Sequence, residues 1–182
     1  MTDRRAGTPV TLVALLAARD RRVARREQAF ASQPGTLVSV SVVMPGPVKD
    51  CGLSRHAQSA ALSALDDLFA EQGWIAATLW AETPKTGPEA LISVSAGAEA
   101  VKRATIALED RNPLGRLWDL DVVTPDGAVS RRDLNFGPRR CFVCDRPAHE
   151  CARSRAHSLD ALLAVMEEKI DASLDGTRAP GG

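Results

Sequence analysis

Two aspartates stand one residue apart in a stretch otherwise suited to a hydrophobic core: residues 115–123 read GRLWDLDVV. Side chains alternate along a strand, so Asp119 and Asp121 share one face while Trp118, Leu120 and Val122 share the other. Neighbouring carboxylates repel unless water or a cation separates them. The pair therefore reads either as the wet face of a half-buried strand or as a divalent-metal site carrying a phosphorylated substrate. The spacing alone leaves both open.

A second cluster of chemistry-bearing residues lies at 139–158, RRCFVCDRPAHECARSRAHS. Cys141, Cys144, Cys151 and His157 have the spacing C-x2-C-x6-C-x5-H, and a Cys-x2-Cys knuckle places two thiolates on one tetrahedral ion. His149 is an alternative fourth ligand. Four protein ligands leave no open position, so a zinc held this way is structural. The competing reading is a set of reduced thiols. A redox role lacks the thioredoxin-like β-α-β surroundings that a Cys-x2-Cys pair normally has.

The charges are unevenly placed. Net charge is zero, yet 19 of the 23 basic residues are Arg, with seven in 1–26 and seven in 131–155. Arg binds phosphate and carboxylate through two parallel hydrogen bonds. A neutral chain with two basic patches suits a compact anionic ligand or an acidic partner better than duplex nucleic acid. The stretch Val10–Ala18 is too short and too quickly followed by arginines to read as a signal peptide, and no run is long enough to span a membrane. A cytoplasmic protein without membrane attachment is the expectation, with its cysteines reduced or bound to metal.

Several elements must position these residues. Thr8-Pro9 opens a helix that runs to about Ala31, with Leu12, Leu16, Val23 and Phe30 on its core stripe and Arg19, Arg22, Arg25 and Arg26 on other faces. Residues 36–44 form a strand, and PGPVKD (45–50) forms a rigid turn. Ser54 caps a second helix that ends at Gly73. Strands follow at 74–82 and 89–96, then a helix over 98–110 broken by Asn112-Pro113. A strand at 115–124 turns at Pro125-Asp126-Gly127 into a hairpin partner at 128–134. Ser158 caps the last helix. The order predicts a single-domain α+β sandwich over 1–182, whose β-α-β-β-α-β middle makes a mainly antiparallel sheet. Residues 1–8 and 175–182 are expected to be loose, and 139–157 is a candidate zinc-stapled segment.

PGPVKD, NPLGRLWDLDVVTPDG, SRRDL and RRCFVCDRPAHECARSRAH together resemble the apo-citrate lyase phosphoribosyl-dephospho-CoA transferases, also called holo-citrate lyase acyl-carrier-protein synthases. The resemblance extends from about Leu15 to Glu167. It implies a nucleotidyltransferase that moves 5-phosphoribosyl-dephospho-CoA from its triphosphate precursor onto a serine of the citrate lyase acyl-carrier (gamma) subunit, releasing pyrophosphate. Such a reaction needs a cation on the phosphates and positive charge on the leaving group. With that chemistry implied, Asp119 and Asp121 become the candidate Mg2+ ligands. Arg116 becomes the residue beside the reacting phosphate, with Gly115 letting backbone approach it. Lys49, Arg55, Arg131 and Arg132 become candidates for the triphosphate, and Arg19, Arg22, Arg25 and Arg26 for the carrier subunit. A zinc tether would gather Arg139, Arg140, Arg153 and Arg155 on one rim. The general base stays unassigned between the aspartates, His56 and His157. The rival reading is a non-catalytic zinc-stapled module that grips an acidic partner or RNA.

Overall fold

The chain builds its core around one strand. In the computed structural model, which describes residues 3–33 and 35–178, β1 (Thr36–Val42) is the centre of a five-stranded sheet. The other strands are β2 (Ala76–Glu82), β3 (Glu89–Val94), β4 (Trp118–Thr124) and β5 (Gly127–Val129), in the order β2-β3-β1-β4-β5, and every pairing is antiparallel. Alternation sends Val38, Val40, Ile92, Leu120 and Val122 to the inner face, where they are buried. There they pack against α2 (Gly52–Glu71), α3 (Ala98–Arg111) and, through Met166 and Ile170, α5 (Leu159–Arg178). Trp118 is 0% exposed in this core. One sheet and one principal core make the predicted α+β single domain.

α1 (Leu12–Ser32) lies against the outer face, with Ala29 and Phe30 on a small cluster of Leu37, Leu91 and Val123. Of its expected apolar stripe only Phe30 packs against the sheet, and the other three residues are turned away. Leu12, Leu16 and Val23 are 70%, 50% and 37% exposed, while Arg22 and Arg25 reach Glu89 and Glu82 of the sheet. The outer face beneath the helix is acidic there, so arginines rather than leucines face it. The helix starts later than Pro9, capped by the Thr11 hydroxyl, which accepts from the Ala14 amide at 3.2 Å. The segment before it is held extended because the Val10 amide donates to the Pro47 carbonyl at 2.9 Å.

Three other local expectations shift. The cap of α2 is Cys51; Ser54 sits three residues on and accepts the Cys51 amide at 3.0 Å, the back-reaching half of a capping box. The hairpin partner stops at Val129, because Ser130 and Asp133 bond reciprocally and close a turn; Arg131 and Arg132 lie in that turn, not on a strand. The Cys-rich segment contains a short helix, α4 (Ala148–Ser154). Near the N-terminus, Arg4 and Arg5 pair with Asp171 and Glu167 of α5, where a loose stretch was expected, and α5 itself extends through 175–178. The remaining positions of that expectation, 1, 2 and 179–182, lie outside the described residues. No described helix is long and apolar enough to cross a membrane.

Candidate active site

The strand register sets the geometry of the acidic pair. Asp119 lies opposite Ser41 and Asp121 opposite Ser39, so two carboxylates and two hydroxyls share the outer face of β4 and β1. Trp118, Leu120 and Val122 are buried on the other face while Asp121 is exposed. Burial and then the charge of Asp121 raise the Asp119 carboxyl above the usual carboxylate range, against the opposing pull of Arg139. The donor set is hard oxygen throughout, which matches Mg2+ and not a soft ion.

The start of β4 has a free edge, because β5 pairs only with Val122, Val123 and Thr124. Unpaired strand amides and carbonyls need partners. α3 supplies two: Lys102 Nζ donates to the Leu120 carbonyl at 2.8 Å and Glu109 accepts the Leu120 amide at 3.3 Å. Arg139 supplies the third by donating to the Trp118 carbonyl. This edge gathers the arginines. Arg139 also donates to Asp119 at 3.2 Å, Arg131 bonds Glu109 at 2.7 Å and Asp110 at 3.0 Å, and Arg116 lies 3.7 Å from Asp110. Burial, then Arg139 and Arg131, depress the Arg116 guanidinium below its ordinary value. Resident acids thus leave Arg116 incompletely compensated, and its Nε is buried without a hydrogen-bond partner among the described residues.

Gly115 is required by packing. A Cβ there would lie 2.3 Å from the Glu109 carbonyl oxygen, so the glycine lets α3 and β4 meet.

Asp119 and Asp121 therefore share one strand face, which Arg139 joins to the edge where α3 holds Arg116 and Arg131. Lys49 and Arg55 belong elsewhere, at the start of α2: Lys49 donates to the Met44 carbonyl and Arg55 pairs with Asp50 at 2.6 Å. Arg132 is exposed in the turn after β5. His56 bonds Ser173 at 3.3 Å, between α2 and α5. Of the α1 arginines, Arg22 pairs with Glu89, and Arg25 pairs with Glu82 and lies 3.5 Å over the Trp80 ring. Sequence reasoning missed Lys102, Glu109 and Asp110. The signal was a Lys and a Glu seven residues apart on the stripe of Val101, Thr105 and Ile106, where a helix buries its apolar side.

The second cluster converges as its spacing predicts. One ligand atom from each of Cys141, Cys144, Cys151 and His157 lies within 4.8 Å of all the others. Cys144 Sγ is 3.5 Å from Cys151 Sγ and 3.4 Å from His157 Nε2, close to the edges of a tetrahedral site. The Arg146 backbone amide, then its side chain, lower the Cys144 thiol to about 6, and burial pushes Cys151 up to about 11. Three sulfurs and one imidazole nitrogen suit zinc. His149 instead lines a groove of about 710 Å³ beside the cluster. Arg139, Arg140 and Arg155 also line that groove, whereas Arg153 is exposed on α4.

Comparison with known proteins gives this geometry a context. A family model described as apo-citrate lyase phosphoribosyl-dephospho-CoA transferase matches residues 10–173. Relatives bearing that name include one from Escherichia coli O9:H4, 45% identical over 163 residues that make up 89% of each chain. One from Shigella boydii serotype 18 matches with the same identity and coverage.

Proposed function

The chain belongs to the apo-citrate lyase phosphoribosyl-dephospho-CoA transferase family and is a transferase; from that premise we propose that the outer face of β4 carries its chemistry. The reaction is attack by a serine hydroxyl of the citrate lyase acyl-carrier (gamma) subunit on the α-phosphorus of triphosphoribosyl-dephospho-CoA. A new O–P bond forms, the bond to the pyrophosphate oxygen breaks, and pyrophosphate departs. The observation that carries this reading is Asp119, which shares its strand face with Asp121, bonds Arg139, and stands beside the α3 acids that hold Arg116 and Arg131.

The residues divide the work. Asp119 and Asp121 hold Mg2+, which when bound neutralises phosphate oxygens. Arg116 and Arg139 face the donor's phosphates and Arg131 keeps Glu109 and Asp110 in place beside them, so that charge building on the leaving group meets fixed guanidinium groups. With His56 engaged by Ser173 and His157 within the cysteine cluster, the face's own carboxylates are the acceptors for the serine proton. Lys49 and Arg55 belong to the outer reach of the site, where the N-terminus of α2 adds positive potential, and the exposed Arg132 offers its charge to the approaching partner. The Cys/His cluster holds a structural zinc, and the protein works in the cytoplasm on an intact carrier.

The test supplies purified protein with apo-citrate lyase, triphosphoribosyl-dephospho-CoA and Mg2+. Pyrophosphate should appear in a one-to-one ratio with modified carrier. A folded protein that releases none overturns the reading.

A further inference from the structure

We propose that the groove between the 43–46 turn, the Cys/His segment and the start of α5 binds the adenosine diphosphate part of the donor. The inference rests on the transferase reading and adds where the donor's non-reacting end lies. The groove measures about 710 Å³, within the range of about 300–1,000 Å³ typical of small-molecule sites. Its walls are apolar, with Met44, Pro45, Phe142, Leu159 and Leu162 among them. Arg116, Arg139, Arg140 and Arg155 add positive charge, Cys141, Cys151 and His157 of the Cys/His cluster lie on the same wall, and none of the described lining residues is acidic. Outside the Cys/His cluster such a surface offers a cation no carboxylate, and it has too much fixed positive charge for a purely apolar ligand. An aromatic base joined to a diphosphate satisfies both halves, by ring contact with Phe142 and by bidentate contact with guanidinium.

The direction is also set. Arg139 touches Asp119 at 3.2 Å while lining the groove, so the diphosphate lies at the Asp119 end and the adenine toward Leu159. The buried, unpartnered Arg116 Nε lies at this same end. Gly46, at φ 79°, keeps the turn against Leu159: a Cβ there would approach Leu159 Cδ1 to 3.0 Å. Contacts made by the non-reacting end hold the reacting phosphate over Asp119 and Asp121, where binding serves orientation.

Calorimetric titration of the full chain as purified, without Mg2+ or carrier, tests this with dephospho-CoA, ADP and pantetheine as probes. Dephospho-CoA and ADP should bind and compete, and pantetheine should not displace ADP. Leu159→Glu should weaken both nucleotides at least tenfold; its glutamate sits in the first turn of α5, where acid is tolerated. Ile75→Glu makes the same change on a residue 79% exposed on the β2 side and should leave binding unaltered. Arg140→Gln, a surface change on the rim, should weaken ADP several-fold without touching the fold. Absent binding of dephospho-CoA, equal affinity in Leu159→Glu and Arg140→Gln, or binding of pantetheine in place of ADP would each overturn the assignment. Nucleotide binding as expected, joined to a carrier that never gains mass, would retain the groove and discard the transferase reading.

Discussion

Asp119 is held at an electrostatic cost. Its carboxyl is raised by burial and by Asp121, so the native state holds this proton more tightly than the unfolded chain does. The stability this contributes is present below the ordinary carboxylate range and is lost as pH rises through the raised value. At neutral pH, without metal, Asp119→Asn should therefore melt no lower than the wild type, because asparagine keeps an acceptor for Arg139 and drops the charge. Added Mg2+ should raise the melting temperature of the wild type and leave that of Asp119→Asn unmoved. A variant that melts well below the wild type would make Asp119 a structural residue. Across the strand the expectation inverts: Trp118→Ala should cost about 3–5 kcal/mol in chemical denaturation, since Trp118 is 0% exposed.

At the level of elements, the β4–α3 edge joins fold to site. Glu109 is 2% exposed and serves the Leu120 amide and Arg131 together. Glu109→Ala would leave a strand amide unpartnered and Arg131 with Asp110 alone, a loss of about 3–5 kcal/mol for a broken buried charge pair, measurable by urea titration. Glu109→Gln should recover part of it. On α1, Arg22→Glu sets two acids together at Glu89 and should lower stability, whereas Arg19→Glu, on an exposed position, should lower carrier affinity in a salt-dependent way without affecting melting. These contrasts mark what the sequence made legible. Alternation in WDLDVV separates the two faces of β4, and C-x2-C-x6-C-x5-H picks out the four residues that converge as a possible metal cluster, because both depend on local spacing. Which strand lies beside which cannot be read from local spacing. The acids under α1 come from β2 and β3, and the partners of the β4 edge come from α3 and the 139 loop. That is why the leucine stripe of α1 was assigned to the core and Glu109 went unnoticed.

At the scale of the whole molecule, Arg139 lines the groove beside the Cys/His cluster and also bonds Asp119, so a zinc in the cluster would act on transfer through the placement of Arg139 and Arg140. Elemental analysis of protein purified without chelator should give about one zinc per chain. Cys144→Ser should lower zinc content and melting temperature together, and weaken the donor more than the carrier. Metal-free protein with full activity and four titratable thiols would leave the cysteines as ordinary side chains. The central claim is that transfer takes place on the face bearing Asp119 and Asp121. The most direct measurement is the intact mass of the apo carrier subunit after incubation with triphosphoribosyl-dephospho-CoA and Mg2+, comparing wild type with Asp119→Asn and Asp121→Asn of matched folding. Wild type should add the mass of one phosphoribosyl-dephospho-CoA group, and both variants should be slowed by on the order of a hundredfold or more, the scale of losing preorganised charge stabilisation. An unmodified carrier with folded wild type, or either variant working at near-normal rate under saturating Mg2+, would contradict it.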